Sequence, residues 1–450
     1  MTERNRDELG FHPSKPVHVE YDAPDLSSNG GLVAIRALDD ELGLTSSLAE
    51  LVPDERDQWR VLHGRSEQVR QRVFQIVAGY EDQNDADFLR HDPALITACG
   101  GSPGNPEEAA LSSQSSLSRL ENDVGPAAIK QMLLWCEERY AKSKKDAEIV
   151  ILDIDPTDFR TYGAQQMALF HGYYDNKILY PFIIFDGQTG EIVTAVLRGG
   201  RAGGTRGAKF VLDRVIRRIK AHNPDCMIVV RGDAAFGSGR IMRRLDRLEA
   251  EFDDVYYLFG IGKNAVLKRK LKSKLEVAEQ KAAAFGGTAR VLTELEYKAR
   301  KWYFSRLVIG KAEVTEKGPN PRFVITNIDG FEPRVIYHAY CQRGCAELMI
   351  KDFKNAMKAA RMSCSSFWAN FFRLILHVVA YNLMLELRRR IALHDEELGC
   401  AQFDTIRLHL LKVAVIVTES VRRIRFQLPA SFPRRALFGA LLRSIGPPPS

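Results

Sequence analysis

The chain has 450 residues, 45% hydrophobic and 27% charged, which is enough for two or three domains and excludes a disordered or fibrous protein. The formal net charge of +7 is mildly basic, and basic residues cluster at 198–220, 231–247, 263–274 and 421–435. These clusters favour a polyanionic partner, with solvated helix faces as the alternative. The seven cysteines show no disulfide or zinc spacing and no signal peptide opens the chain, so we expect a cytoplasmic protein.

Residues 1–105 form the first predicted region, which is mainly helical. A helix begins after Gly31 with apolar residues at spacings of three and four, and another spans 65–80. Arginines on the second helix suit a DNA-binding region, and an ordinary helical domain is the alternative. The segment 100–106, Gly-Gly-Ser-Pro-Gly-Asn-Pro, predicts the linker that ends this region.

Residues 106–260 alternate between strands and helices, as expected of the first part of an α/β core. A serine-rich loop at 112–118 and a helix at 126–143 come first. A nearly continuous apolar run at 148–154 predicts a buried strand that opens an antiparallel meander. The other predicted elements are strands at 177–186, 192–197, 227–230 and 255–260 and helices at 208–221 and 238–250.

Residues 261–335 break this rhythm and are predicted to be a β-rich insertion, with strands at 290–295, 301–308 and 322–328. Residues 336–395 then complete the core, and 396–450 form a C-terminal helical region. Apolar helices are predicted at 367–390 and 403–422. The most apolar run, 374–385, is too short to span a bilayer and predicts a buried core helix.

A predicted helix over 337–361 carries four polar side chains at offsets 0, 3, 7 and 14: Tyr340, Arg343, Glu347 and Lys354. At about 100° per residue these positions fall within a sector roughly 60° wide on one helix face. The carboxylate suits a metal ion, and the other three groups suit phosphate oxygens. The alternative is a solvated amphipathic helix with ordinary ion pairs.

Two further acids stand at the ends of predicted strands. Asp155 closes the first buried strand, and Asp233 follows a later one in the run Arg231-Gly232-Asp233. Together with Glu347 they can share two hard divalent cations, which activate a water or a 3′ hydroxyl and stabilise the leaving oxygen of a phosphodiester. A strand-end cap or turn is the alternative for each aspartate alone. Asp153, two residues earlier on the same strand face, competes with Asp155 as the first acid.

The order of these motifs resembles the DDE transposases of bacterial insertion sequences. The resemblance rests on Asp155-x-Thr157, Arg231-Gly-Asp233 and the spacing Tyr340-x2-Arg343-x3-Glu347-x6-Lys354, and covers roughly 110–390. More narrowly, the sequence is similar to the group 1 subgroup with a YREK signature. Asp155 is preferred to Asp153 because it directly precedes a Pro-Thr pair, as the family's Asp-x-Thr does.

The resemblance implies an α/β fold with an RNase H-like mixed sheet core, a β-rich insertion, and helical N-terminal and C-terminal regions. It implies that Asp155, Asp233 and Glu347 are catalytic and bind Mg²⁺, two ions with Mn²⁺ as a substitute. Tyr340, Arg343 and Lys354 would contact the phosphates beside the cut. The expected partners are double-stranded DNA, as transposon ends and target, and a second copy of the chain in a homodimer.

Three further residues are weaker candidates. Thr157 and Arg231 belong to the motifs that carry the resemblance. Trp302 would stack on a displaced base, as a tryptophan does in related insertions, or would simply pack in the core of the insertion. The alternatives to a transposase are an inactive DNA-binding descendant of such an enzyme and a stand-alone nuclease of the same fold.

Overall fold

The computed structural model describes residues 8–9, 11–21, 24, 26–104 and 110–445. Its N-terminal region is mainly helical, because apolar residues at spacings of three and four give each longer helix one buried face. The elements are strands β1 (Glu8–Leu9), β2 (Val17–His18) and β3 (Leu26–Ser27) and helices α1 (Leu32–Leu42), α2 (Leu44–Ala49), α3 (Arg65–Val77), α4 (Ala86–Leu89) and α5 (Pro93–Cys99).

The segment after the linker differs from the prediction in one place. The expected serine-rich loop is a helix, α6 (Gln114–Asn122), and the expected helix follows as α7 (Pro126–Ser143). The loop prediction is wrong because Leu117 and Leu120, three residues apart, are both buried while serines occupy other faces of α6. The predicted linker residues 105–106 lie outside the described residues.

A mixed sheet forms the centre of the molecule. Its first part comprises β4 (Ile149–Pro156), β8 (Phe182–Asp186), β9 (Ile192–Val196), β10 (Met227–Gly232) and β11 (Val255–Gly260), with the small sheet β5 (Phe159–Arg160), β6 (Leu169–His171) and β7 (Asn176–Leu179) between β4 and β8. The order is β9-β8-β4-β10-β11, antiparallel among the first three strands and parallel from β4 to β11. This confirms the predicted RNase H-like mixed sheet.

The segment predicted as a β-rich insertion lengthens this same sheet. It consists of α10 (Ala265–Phe285), β12 (Ala289–Tyr297), β13 (Arg306–Thr315), β14 (Gly318–Pro319) and β15 (Arg322–Thr326). Strand β15 pairs antiparallel with β11, and β13 and β12 follow outward. One face of the sheet is covered by α10 together with α8 (Ala208–His222) and α9 (Gly239–Phe252).

The opposite face is covered by helices from both ends of the chain. After β15 come α11 (Pro333–Cys341), α12 (Gly344–Lys351), a π-helical turn (Asp352–Ala356) and α13 (Phe367–Ala392). The helix α13 shares one hydrophobic core with α1, α3 and α5. By length and composition α13 is able to cross a membrane, but 89% of its most apolar window is buried inside the molecule, which is typical of a core helix.

The C-terminal region contains a hairpin that the sequence analysis missed. The elements are α14 (Glu396–Gly399), α15 (Phe403–Ile406), a π-helical turn (Arg407–Leu411), β16 (Val415–Ser420), β17 (Arg423–Gln427) and α16 (Arg435–Ile445). The predicted helix over 403–422 is therefore wrong beyond 411, because the β-branched run 415–418 favours a strand. Strand β16 pairs with β3, which joins the two ends of the chain.

Candidate active site

The first two acids lie side by side at one edge of the sheet. Strands β4 and β10 run parallel in a register that pairs Gly232 with Ile154. One step further along this register brings Asp233 beside Asp155, because parallel strands end at the same edge. Asp233 is half-buried, and its carboxylate accepts a hydrogen bond of 2.9 Å from the backbone N–H of Ala235.

Asp153, the competing acid, is committed to a buried ion pair. Its two carboxylate oxygens each accept a hydrogen bond of 2.6 Å from Arg231, and both side chains are almost fully buried. A third Arg231 N–H donates to the backbone oxygen of Ala339 in α11 at 2.7 Å. The pair packs against Gly187, where a Cβ atom would lie 2.6 Å from both side chains. Asp153 is thus bound to Arg231 on both oxygens and faces away from bulk solvent.

Asp155 has a different environment. Its carboxylate is 17% exposed and its one side-chain contact among the described residues is with Arg343, at 3.5 Å. Burial raises the pKa of Asp155 to about 7; Arg343 opposes this shift, while the charges of Asp233 and Glu347 add to it. The charges of Asp233, Glu347 and Arg343 therefore all act on Asp155.

The segment that carries the other predicted side chains is not one continuous helix. Helices α11 and α12 are joined by a tight turn, in which the N–H of Arg343 donates to the oxygen of Tyr340 and the N–H of Ala346 donates to the oxygen of Arg343. A wider π-helical turn follows α12. The prediction of four regular helical turns is wrong, although the backbone of Arg343 keeps right-handed helical dihedral angles.

Tyr340 and Arg343 still lie together over the end of the sheet. The Tyr340 hydroxyl lies above β11, where a Cβ atom on Gly260 would come within 2.8 Å of it, so the glycine permits this approach. Burial raises the pKa of Tyr340, against the lowering effect of the Arg343 charge. Burial lowers the pKa of Arg343, but Asp155, Tyr340 and Asp233 together outweigh this effect and the pKa is raised.

Lys354 reaches the same strand end from the π-helical turn. Its ammonium group donates to the Asp158 backbone oxygen at 2.8 Å, to the Asp158 carboxylate at 3.0 Å and to the Thr157 hydroxyl at 3.3 Å. Asp158 and Thr157 lie 196 and 197 positions before Lys354 in the chain. Sequence analysis missed Asp158 as a partner of Lys354, although it directly follows the Asp-x-Thr motif.

Glu347 and Trp302 occupy contrasting environments. Glu347 is exposed on the first turn of α12. The Trp302 ring makes an edge contact with Tyr297 in β12, with ring centroids 5.4 Å apart, and lies against Gly239 at the start of α9. Trp302 is thus partly buried and packs against the core beneath the insertion, which favours the structural alternative for this residue.

A family model for the group 1 transposase DDE domain matches residues 10–449. The chain belongs to this transposase family. A solved structure that is similar to the transposase is the piggyBac transposase synaptic complex with hairpin DNA, at 10% sequence identity and a TM-score of 0.43, covering 93% of this chain and 86% of that chain. No curated protein matches the chain.

Transposases of this family generally use divalent metal ions. Within the described ranges, no three His, Cys, Asp or Glu side chains are grouped closely enough to hold one. Asp155 nevertheless fits the role, because its largely buried carboxylate has only the long contact with Arg343, and carboxylate oxygens are preferred ligands of hard cations. Asp233 lies beside it, whereas the Glu347 side chain is exposed.

Proposed function

We propose that this transposase cuts DNA at the inverted-repeat ends of an insertion sequence and joins the freed 3′ ends to target DNA. Asp155, Asp233 and Glu347 would hold two Mg²⁺ ions, for which Mn²⁺ can substitute. Tyr340, Arg343 and Lys354, the YREK residues around Glu347, would bind the phosphates beside the cut. The protein would act in the cytoplasm on nucleoid DNA, as a homodimer that bridges two transposon ends.

The observation that carries this proposal is the convergence of distant segments on the end of β4. Arg343 contacts Asp155, and Lys354 contacts Thr157 and Asp158, although nearly 200 residues separate the partners. A solvated helix face, the alternative raised by the sequence, would make no such contacts with buried acids.

Some residues of the site would bind metal ions and phosphates, and others hold the helices of the site in position. Bound ions would activate the attacking water or 3′ hydroxyl and stabilise the leaving oxygen. Arg343, which is only weakly engaged with Asp155 at 3.5 Å, can offer its planar fork to a phosphate. Lys354 supplies a point charge beside Thr157 and Asp158, just beyond Asp155. Arg231 positions α11, because it ties Asp153 to the backbone of Ala339 next to Tyr340.

A cleavage assay on a duplex that ends in the terminal inverted repeat tests the proposal. We expect Asp233→Asn and Glu347→Gln each to abolish Mg²⁺-dependent nicking while the protein still binds the duplex, because each removes one ligand and leaves the remote DNA contacts in place. Glu332→Gln is the matched control, since Glu332 is an exposed carboxylate at the start of α11.

The same assay separates the alternatives. Cleavage without a joined product in the presence of target DNA would point to a stand-alone nuclease. Specific binding without any cleavage by the wild-type chain would point to an inactive descendant. Normal cleavage by Glu347→Gln would refute the assignment of the third acid.

A further inference from the structure

A basic groove lies between α8 and α9, on the face of the sheet opposite α11 and α12. It is lined by Lys209, Phe210, Arg240, Arg243, Arg244 and Arg247. The first two residues belong to the first turn of α8, and the four arginines lie on α9 between its second and ninth residues. Nothing in the proposed cleavage reaction uses these side chains.

Most of the positive charge in this groove is uncompensated. Only Arg244 has an ion-pair partner, Asp213 at 2.6 Å; in the described part of the chain, no carboxylate lies within 4.0 Å of the charged groups of Lys209, Arg240, Arg243 or Arg247. Four unpaired cations in one groove repel one another. This repulsion lowers the stability of the DNA-free protein, and binding of a polyanion would relieve it.

The spacing of the arginines matches a DNA backbone. Arg240, Arg243 and Arg247 recur at three and four residues and therefore form a stripe along α9. From Arg240 to Arg247 the helix rises about 10 Å at 1.5 Å per residue, the axial distance of about three phosphates on one DNA strand at 3.4 Å each.

Two aromatic rings at this groove lie against cations and remain largely exposed, Phe210 at 66% and Tyr303 at 75%. The Lys209 ammonium lies 4.5 Å from the ring centroid of Phe210, and the Arg243 guanidinium lies 5.0 Å from that of Tyr303. The lining of the groove carries five cations and one aromatic ring, so phosphates are the expected contact. Contacts to phosphates alone carry no sequence information.

The groove begins at the catalytic edge of the sheet. Helix α9 starts at Gly239, six residues after Asp233, and the glycine loop before α8 approaches the same turn, where a Cβ atom on Gly204 would lie 3.7 Å from the Ala235 side chain. A duplex that lies in the groove therefore leads to the acids from the side opposite Lys354.

We propose that this groove binds target DNA through its phosphate backbone, independently of sequence. The proposal rests on the proposed transposase function, because joining requires a second duplex at the same acids. Phosphate contacts alone suit a duplex that is not selected by its sequence, and this assigns the groove to the target.

The test compares salt titrations of binding for two duplexes of equal length, one of random sequence and one ending in the terminal inverted repeat. The variant is the triple substitution Arg240→Gln, Arg243→Gln and Arg247→Gln. The slope of log affinity against log salt is negative. For the random duplex, we expect its magnitude to decrease by up to about 2.7, or about 0.9 for each lost phosphate contact. For the terminal duplex we expect a clearly smaller change.

The control removes the same charge elsewhere, through Lys130→Gln, Lys145→Gln and Lys317→Gln, three exposed lysines on other surfaces. Thermal melts confirm that both triple variants are folded. An unchanged slope for the random duplex, or the same loss in the control, would overturn the proposal. An equal or larger loss on the terminal duplex would assign the groove to the transposon end and overturn the target assignment.

Failure of this proposal can be told apart from failure of the proposed function. If the wild-type chain cuts transposon ends while the arginine variant binds random duplex normally, only the groove is refuted. If the groove variant loses random-duplex binding but the wild-type chain cuts no ends, the groove still binds duplex DNA, whereas the transposase reaction and the assignment of that duplex as target are refuted.

Discussion

Two aspartates separated by one residue should respond to the same substitution with opposite changes in stability. Asp153 is held by Arg231 on both oxygens, whereas Asp155 is largely buried with one contact of 3.5 Å. We therefore expect Asp153→Asn to lower the free energy of unfolding of the metal-free protein and Asp155→Asn to raise it. Asp155→Asn should nevertheless be inactive, because it removes a proposed metal ligand. A charge that lowers stability is thus retained at this position for function.

The magnitudes follow from the two environments. Asp153→Asn leaves the Arg231 charge buried without its partner, which costs about 3–5 kcal/mol. The pKa of Asp155 rises from 3.8 to about 7 on folding, so its ionised form costs the folded state up to about 4 kcal/mol above pH 7, at 1.36 kcal/mol per unit. Removing that charge should recover a large part of this amount.

The direction of the Asp155 pKa shift also determines how stability depends on pH. Between pH 4 and pH 7 the folded metal-free protein keeps the proton on Asp155 and the unfolded chain does not, so stability falls as pH rises through this range. Asp155→Asn should lack this component of the slope. Urea unfolding of both variants and the wild type, in a chelating buffer at pH 5 and pH 8, measures the effect.

Two results would refute this reasoning. One is an Asp155→Asn protein that is clearly less stable than the wild type at pH 8. The other is an Asp153→Asn protein of wild-type stability, which would mean that Arg231 finds another partner. A folded Asp153→Asn protein that cannot cut DNA, beside an active Asp155→Asn protein, would instead exchange the two roles.

Three further predictions concern other parts of the molecule. Arg343→Lys and Lys354→Ala should each slow end cleavage by about 10- to 150-fold in single-turnover assays, because a charge-assisted phosphate contact is worth roughly 1.5–3 kcal/mol; full activity in both would contradict their assigned contacts. Trp302→Ala should lower the stability by about 1–3 kcal/mol in urea unfolding, because the side chain is partly buried, whereas a base-stacking role would reduce cleavage with little effect on stability. Burial lowers the pKa of His377 to about 3, so unfolding should become easier by about 2 kcal/mol between pH 6.5 and pH 5, and His377→Gln should remove this slope in urea titrations at the two pH values.

The sequence predicted the order of the elements well wherever hydrophobic periodicity decides it. The buried strand that ends at Asp155 and the strand before Asp233 are both present, and so is the helix over 126–143. Continuous apolar runs and spacings of three and four residues leave few alternatives in a mixed sheet covered by helices. The RNase H-like order of the strands, in contrast, came from the family resemblance and not from periodicity.

At the candidate site, the failures occur where contacts between distant segments decide the structure. The tight turn before α12 and the π-helical turn at Lys354 have no local signal, because the bonds from Arg343 and Lys354 to the end of β4 are formed only in the folded chain. Likewise, nothing near Asp153 shows that it is paired with Arg231, 78 residues away. The fold was thus predictable at the level of elements, while the geometry of the candidate site depended on tertiary contacts.

The joining of the two ends of the chain has a consequence during synthesis. The Ser102 hydroxyl donates to the carboxylate of Glu419, 317 residues later, and β3 pairs with β16. At roughly 5–20 residues per second, the ribosome needs about 15–60 s to make the intervening segment. For that time α1 and α3 expose the apolar faces that α13 will cover, so they depend on chaperones or on transient contacts. A chain that is cut short before α13 therefore leaves these apolar faces uncovered.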